Sequence, residues 1–248
     1  MRKLNTWISS ILVLSLVLLT LQVGLSAYAT ETADTSSSIG GEIVLSAAEY
    51  DDYLESLAAD DLEQIDTKAA AAAALQNAPT PRIATKISIP GTFSMYQQST
   101  DYYCVPACVK SIVQYINGSS DSQSTIASAL GTTSSSGTDP TTIAPYLNEQ
   151  QSSCYYVYVQ SPSQTTMCNA LYYTINTEQV PASMGISGTT TSNWYYATSG
   201  HSLVVNAIYS DKSKIQFADP LGATQAGWPV YYEKSASVAS SVCTRVVY

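Results

Sequence analysis

Gln97-Gln98-Ser99-Thr100-Asp101-Tyr102-Tyr103-Cys104-Val105-Pro106-Ala107-Cys108 reads as a polar loop that delivers a cysteine to the first turn of a helix. Pro106 suits a first helical position, where its missing N–H would be unpaired in any case. Cys108, Ile112 and Ile116 follow at spacing four with Val109 and Val113 beside them, the apolar stripe of a buried helix. Asn117-Gly118 supplies the stop, since glycine accepts the left-handed conformation that commonly ends a helix. Cys104 is therefore expected at the positive end of a buried helix. That end favours an anion, and a thiolate is the anion available.

Downstream, helical patterns come first. Ser124 to Leu130 predicts a short helix ending at Gly131, and Asp139-Pro140 opens another to about Asn148. Ser163 to Asn176 predicts a further one, with Met167, Leu171 and Ile175 on one face. Strand-like runs follow: Cys154 to Val159, Val180 to Ile186, Ser202 to Tyr209, Lys214 to Ala218 and Trp228 to Tyr232. Ser210 to Ser213 is a tight hairpin connection, and Cys243 to Tyr248 reads as a closing strand. Helices and then strands predict an α+β domain with an antiparallel sheet.

Upstream, the chain begins as an export signal. Arg2 and Lys3 are basic, Ile11 to Leu21 apolar, and Ala27-Tyr28-Ala29 is a small-x-small cleavage pattern. Residues 1–29 are expected to be removed, leaving no stable membrane span and a secreted, extracellular bacterial protein. The apolar run is short for a membrane span, the competing reading. Residues 30–90 form an acidic segment: no Lys or Arg lies between Glu31 and Asp66, so most of the net charge of −9 belongs here. Thr30 to Gly41 reads as flexible, Ser46 to about Lys68 as an amphipathic helix that the run Ala69 to Ala74 extends, and Arg82 to Pro90 as a linker. The plainer reading of the segment is a solvated spacer. The sharper one is an inhibitory pro-segment whose helix covers a groove. Residues 91–248 are then the catalytic-looking domain.

Nothing after Lys86 supplies a basic stripe, so a nucleic-acid partner is not expected. One histidine, no Cys-x-x-Cys pair and no phosphate-binding glycine loop predict neither metal nor cofactor. The five cysteines leave one over from any pairing. If Cys104 is reactive, Cys108, Cys154, Cys168 and Cys243 form two bridges in one of three pairings or stay reduced.

The single histidine, His201, stands where Ser199-Gly200-His201-Ser202 enters a strand, and Asp219 ends the next strand before Pro220. A hairpin of two adjacent strands brings the start of the first beside the end of the second. Cys104, His201 and Asp219 thus make a candidate nucleophile, base and orienting carboxylate, in which thiol and imidazole form a thiolate–imidazolium pair. Gln98 can donate its side-chain amide to an oxyanion together with the Cys104 backbone N–H, with Gln97 as its rival. Cys108 is the rival nucleophile, although its place on the apolar face suits packing better.

Gln98 followed six positions later by Cys104 and Val-Pro-Ala resembles the nucleophile region of papain-like cysteine peptidases. The closer match is the bacteriocin-processing peptidase-like group (peptidase family C-thirty-nine-like). Gly200 to Val205 and Phe217 to Gly222 resemble that group's histidine and aspartate segments, and Leu130 to Thr132 and Gly137 to Asp139 are similar to it as well. The resemblance implies a papain-like fold and thiol hydrolysis of peptide bonds in a peptide or protein substrate. Val105 and Leu221 depart from it, at positions where glycine and an aromatic are frequent. No transporter segment follows the domain, so a role in exporting leader peptides is not expected. The alternative is an exported papain-like module that binds peptide or cell-wall ligands without turnover; Tyr102, Tyr103, Tyr195 and Tyr196 would suit its surface, although strand and core filler is the plainer reading of them. A third reading is the same chemistry on peptidoglycan stem amides.

Overall fold

The computed structural model describes residues 39–77, 83–222 and 228–248, all within one compact unit, Ser37–Tyr248. The expected signal peptide and the proline pair Pro79 and Pro81 lie outside the described residues. In chain order the elements are β1 (Ile39–Gly40), α1 (Ala47–Ser56), α2 (Ala59–Ala74), β2 (Lys86–Ser88), α3 (Cys104–Asn117), α4 (Gln123–Ala129), α5 (Ile143–Gln150) and β3 (Tyr158–Gln160). Then come α6 (Gln164–Tyr172), β4 (Ala182–Ile186), β5 (Thr198–Tyr209), β6 (Lys214–Ala218), β7 (Tyr231–Ser235), α7 (Ala236–Val242) and β8 (Cys243–Val247). The helices precede most of a sheet ordered β3-β8-β4-β5-β6-β7, in which every neighbouring pair is antiparallel. This is the α+β arrangement that the order of sequence patterns predicts. Among the described residues no helix is long and apolar enough to cross a membrane.

Helix α3 has the predicted bounds. Gly118 caps it in the left-handed conformation at φ 74°, its N–H donating to the Gln114 carbonyl. Cys104 is the first helical residue, which puts Pro106 in the third position rather than the first. That costs no hydrogen bond, because the first four N–H groups of a helix have no partner within it. Cys108, Val109, Ile112 and Val113 are buried as the stripe requires, and α3 packs on β5. Strand β5 is the centre of the sheet. β4 pairs with its first half (Ile186↔His201 to Ala182↔Val205) and β6 with its second (Val204↔Ala218 to Ile208↔Ile215).

Several expected elements differ in extent, each for a local reason. The stretch from Cys154 is mostly loop, since side chains take its backbone groups. Gln151 accepts from the N–H groups of Ser153 and Cys154, and Asn148 brackets Tyr156 with two hydrogen bonds. The single amphipathic helix is two helices, broken where Leu57 and Ala58 turn extended. The break seats Tyr50 and Tyr53 of α1 edge-on against Tyr158, while α2 packs on α6. The supposed linker contains β2, which pairs with the far end of β5 (Ile87↔Ile208). The strand expected from Trp228 starts at Tyr231, and α7, capped by Ser235, has small residues whose pattern carries no signal. All five cysteines are free, so neither bridge is formed.

Candidate active site

Two elements of the sequence argument meet at the end of β5. The register sets Val204 opposite Ala218, so His201 and Asp219 lie diagonally on one face of the β5–β6 pair, within reach of long side chains. His201 Nε2 and Asp219 Oδ1 are 3.0 Å apart, with both side chains almost wholly buried. The other ring nitrogen, Nδ1, makes no hydrogen bond of ordinary geometry to an oxygen or nitrogen. The neighbouring thiol that acts on the imidazole, by charge and hydrogen bonding, is Cys104. Cys104 is fully buried at the N-terminus of α3, where no side chain caps the helix. Gln98 approaches from the preceding loop: its backbone N–H donates to the Pro220 carbonyl, tying the loop to the residue after Asp219. Its side-chain Nε2 donates to the Thr100 carbonyl at 3.0 Å, and Oε1 has no partner.

The Peptidase_C39 like family matches residues 91–240, a span that includes all four of these positions. The chain belongs to that family. It is a cysteine peptidase. Among solved structures the peptidase is similar to xylellain, a cysteine protease from Xylella fastidiosa, with a TM-score of 0.42 and 14% identity over 68% of this chain and 86% of that one. A comparison with curated proteins found no match.

Charge in the peptidase's site is set by its surroundings. Burial pushes the His201 imidazolium toward losing its proton, but the Asp219 carboxylate and its hydrogen bond, helped by Cys104, win and raise its pKa to about 10. Burial likewise opposes ionisation of Asp219. The imidazole charge and the donors around the carboxylate overcome it and hold Asp219 below the usual range. Those donors are the Leu221 N–H on Oδ1 at 2.9 Å, and the hydroxyls of Tyr196 and Tyr232 on Oδ2. Trp194 Nε1 donates in turn to the Tyr232 hydroxyl at 3.0 Å, and the Tyr196 ring stands edge-on to His201.

The rivals fare differently. Cys108 donates its thiol to the Ser202 carbonyl at 3.3 Å, and burial pushes its pKa well up, which suits an inert core thiol. Gln97 is exposed, and its carbonyl accepts from Gln123 Nε2. Tyr196, which the non-catalytic alternative would put on a binding surface, is buried against Asp219, in line with the plainer reading of the tyrosines as filler. Tyr232 and Trp194 were not anticipated at all. Nothing in an isolated tyrosine marks it as a carboxylate's partner. Arg245 was passed over as well, although a lone cation inside the apolar run Val242 to Val247 is a readable signal of a buried partner.

Proposed function

We propose that the peptidase is an exported thiol hydrolase of peptide bonds in which Cys104 is the nucleophile, His201 the acid and base, Asp219 the orienting carboxylate and Gln98 an oxyanion donor. The observation that carries this reading is the imidazole itself. One nitrogen is fixed on Asp219, and the other is left to Cys104. That orientation supports proton exchange with the sulfur and no other group. In the reaction the Cys104 thiolate adds to the peptide carbonyl carbon. The oxyanion so formed is stabilised by the Cys104 backbone N–H at the helix end and by the second N–H of the Gln98 amide, the first being spent on Thr100. Collapse breaks the C–N bond as the imidazolium protonates the leaving amine. His201 then takes a proton from water, which attacks the thioester and frees the acid and the thiol. The placement of His201 between Asp219 and Cys104 supports this reading over the non-catalytic alternative.

The test is casein cleavage by Cys104→Ala, Cys108→Ala and the wild type, with folding followed by circular dichroism. Cys104→Ala should be inactive and folded, while Cys108→Ala keeps its activity. Turnover by Cys104→Ala at the wild-type rate overturns the assignment, and a folded but inactive Cys108→Ala moves the nucleophile there.

A further inference from the structure

The N-terminal segment does not meet Cys104 through a helix. It does so through an extended stretch, Ile39 to Ile43, that threads the cleft beside it. β1 pairs in parallel with the residues leading into His201 (Ile39↔Thr198, Gly40↔Gly200). The Gly41 N–H donates to the Gly200 carbonyl at 2.9 Å, the Thr138 N–H to the Gly41 carbonyl at 3.0 Å, and the Ile43 N–H to the Thr138 carbonyl at 2.9 Å. The strand is thus gripped from two walls. It fits because three glycines meet: a Cβ at Gly41 would stand 2.9 Å from Cys104 Sγ, one at Gly137 would strike the Gly41 backbone, and one at Gly200 would strike the Glu42 carbonyl.

Beside Gly41, the Glu42 side chain enters a pocket built for a carboxylate. Arg245 holds it with both arms, Nε to Oε1 at 2.8 Å and Nη2 to Oε2 at 2.5 Å. Ser183 and Ser202 fix the guanidinium through their hydroxyls at 2.9 and 2.8 Å. Gly185 leaves the room, since a Cβ there would come within 2.3 Å of Oε1. The fork-to-fork geometry specifies a carboxylate, and a buried guanidinium stripped of its partner is strongly disfavoured.

We propose that Arg245, Ser183 and Ser202 form an acid-selecting subsite of the cleft, and that Glu42 fills it in cis, fastening residues 39–43 across Cys104 as an unreactive strand. The inference rests on the peptidase reading for calling this groove the substrate cleft. The strand is unreactive because the Gly41 carbonyl is spent on Thr138 rather than turned to Gln98 and the Cys104 N–H. A peptide that replaces it is expected to carry Glu or Asp next to the residue lying over the sulfur.

Alkylation of Cys104 by iodoacetamide, mapped by mass spectrometry on the full chain, tests this without needing turnover. It can therefore fail while the peptidase reading stands, and the reverse. Wild-type Cys104 should be alkylated slowly and Glu42→Gln at least tenfold faster. Adding the peptide Ile-Gly-Gly-Glu-Ile should slow the variant again, whereas Ile-Gly-Gly-Gln-Ile should not. If Glu42→Gln fails to fold, the neutral pair Glu42→Gln with Arg245→Met takes its place. There Cys104 should be equally open and the Glu peptide should have no advantage over the Gln peptide. Wild-type alkylation rates in the folded variants, or equal protection of Glu42→Gln by the two peptides, overturn the proposal.

Discussion

His201–Asp219 and Arg245–Glu42 are both ion pairs at 1% exposure or less, both on the same sheet, yet they are assembled in opposite ways. The first joins residues eighteen positions apart, one on β5 and one just past the end of the adjacent β6, and Asp219 has three further donors in Tyr196, Leu221 and Tyr232. The second joins residues 203 positions apart, and its carboxylate arrives on an extended segment that is otherwise held by its backbone, through Gly200 and Thr138. In the first pair the cation is the group that must be tuned, and the carboxylate is overdetermined. In the second the cation is overdetermined, held by Ser183 and Ser202, and the carboxylate is the exchangeable member. A buried charge held for chemistry needs a fixed partner; one held for recognition needs a fixed socket.

The sharpest break of this contrast is Asp219→Asn, which keeps the shape and removes the charge. A wrong or unstabilised imidazole costs roughly 10⁴ in turnover by analogy with the serine-protease triad. The variant also removes the main cause of the raised His201 pKa. With one histidine in the chain, its titration by NMR is unambiguous. Wild-type His201 should lose its proton near pH 10, and Asp219→Asn should move that loss well down. The sign for stability follows. A raised imidazole contributes fully below about pH 6.5 and fades as pH climbs towards 10. A titration unchanged by Asp219→Asn would mean that Asp219 does not tune the ring.

Next in size is Arg245→Met with Glu42 kept. Breaking a buried pair by removing one partner costs about 3–5 kcal/mol, and removing both often costs little. Urea unfolding of Arg245→Met, Glu42→Gln and the double variant should give a coupling of the same order. A double variant as unstable as the sum of the singles would show that the two charges do not depend on each other.

How much of this could be read from residues alone divides along the same line. The nucleophile helix was legible to its last residue because Gly118 and a spacing-four stripe are local signals. His201 and Asp219 were legible because a hairpin makes sequence distance predict spatial distance. Gln98 was preferred to Gln97 on its spacing from Cys104, and what no residue pattern could give is the anchoring of its backbone N–H on the Pro220 carbonyl. Glu42 and Arg245 were illegible as a pair, since a parallel strand of two residues leaves no periodicity and nothing in the chain links position 42 to 245. The broken helix at Leu57 was missed for a similar reason: tertiary packing on Tyr158 decided it, not propensity.

The smallest effect, and the finest test, is Tyr196→Phe. It deletes one of the two hydroxyls on Asp219 Oδ2 and leaves the edge-on ring beside His201 in place. A hydrogen bond to a charged acceptor is worth about 1.5–3 kcal/mol. That bond helps to hold Asp219 below its ordinary value, so losing it lets the folded-state pKa rise. A depressed carboxylate stabilises above its unfolded pKa and stops doing so as pH falls through the folded one. Raising the folded value therefore brings the loss on sooner, and the acid-unfolding midpoint of Tyr196→Phe, followed by tryptophan fluorescence, should shift upward. The His201 titration near pH 10 should not fall, because Asp219 keeps its charge and has one fewer donor competing for it. If Tyr196→Phe lowers the histidine titration as far as Asp219→Asn does, the tyrosine acts on the ring directly, and the carboxylate is less firmly held than its donors imply.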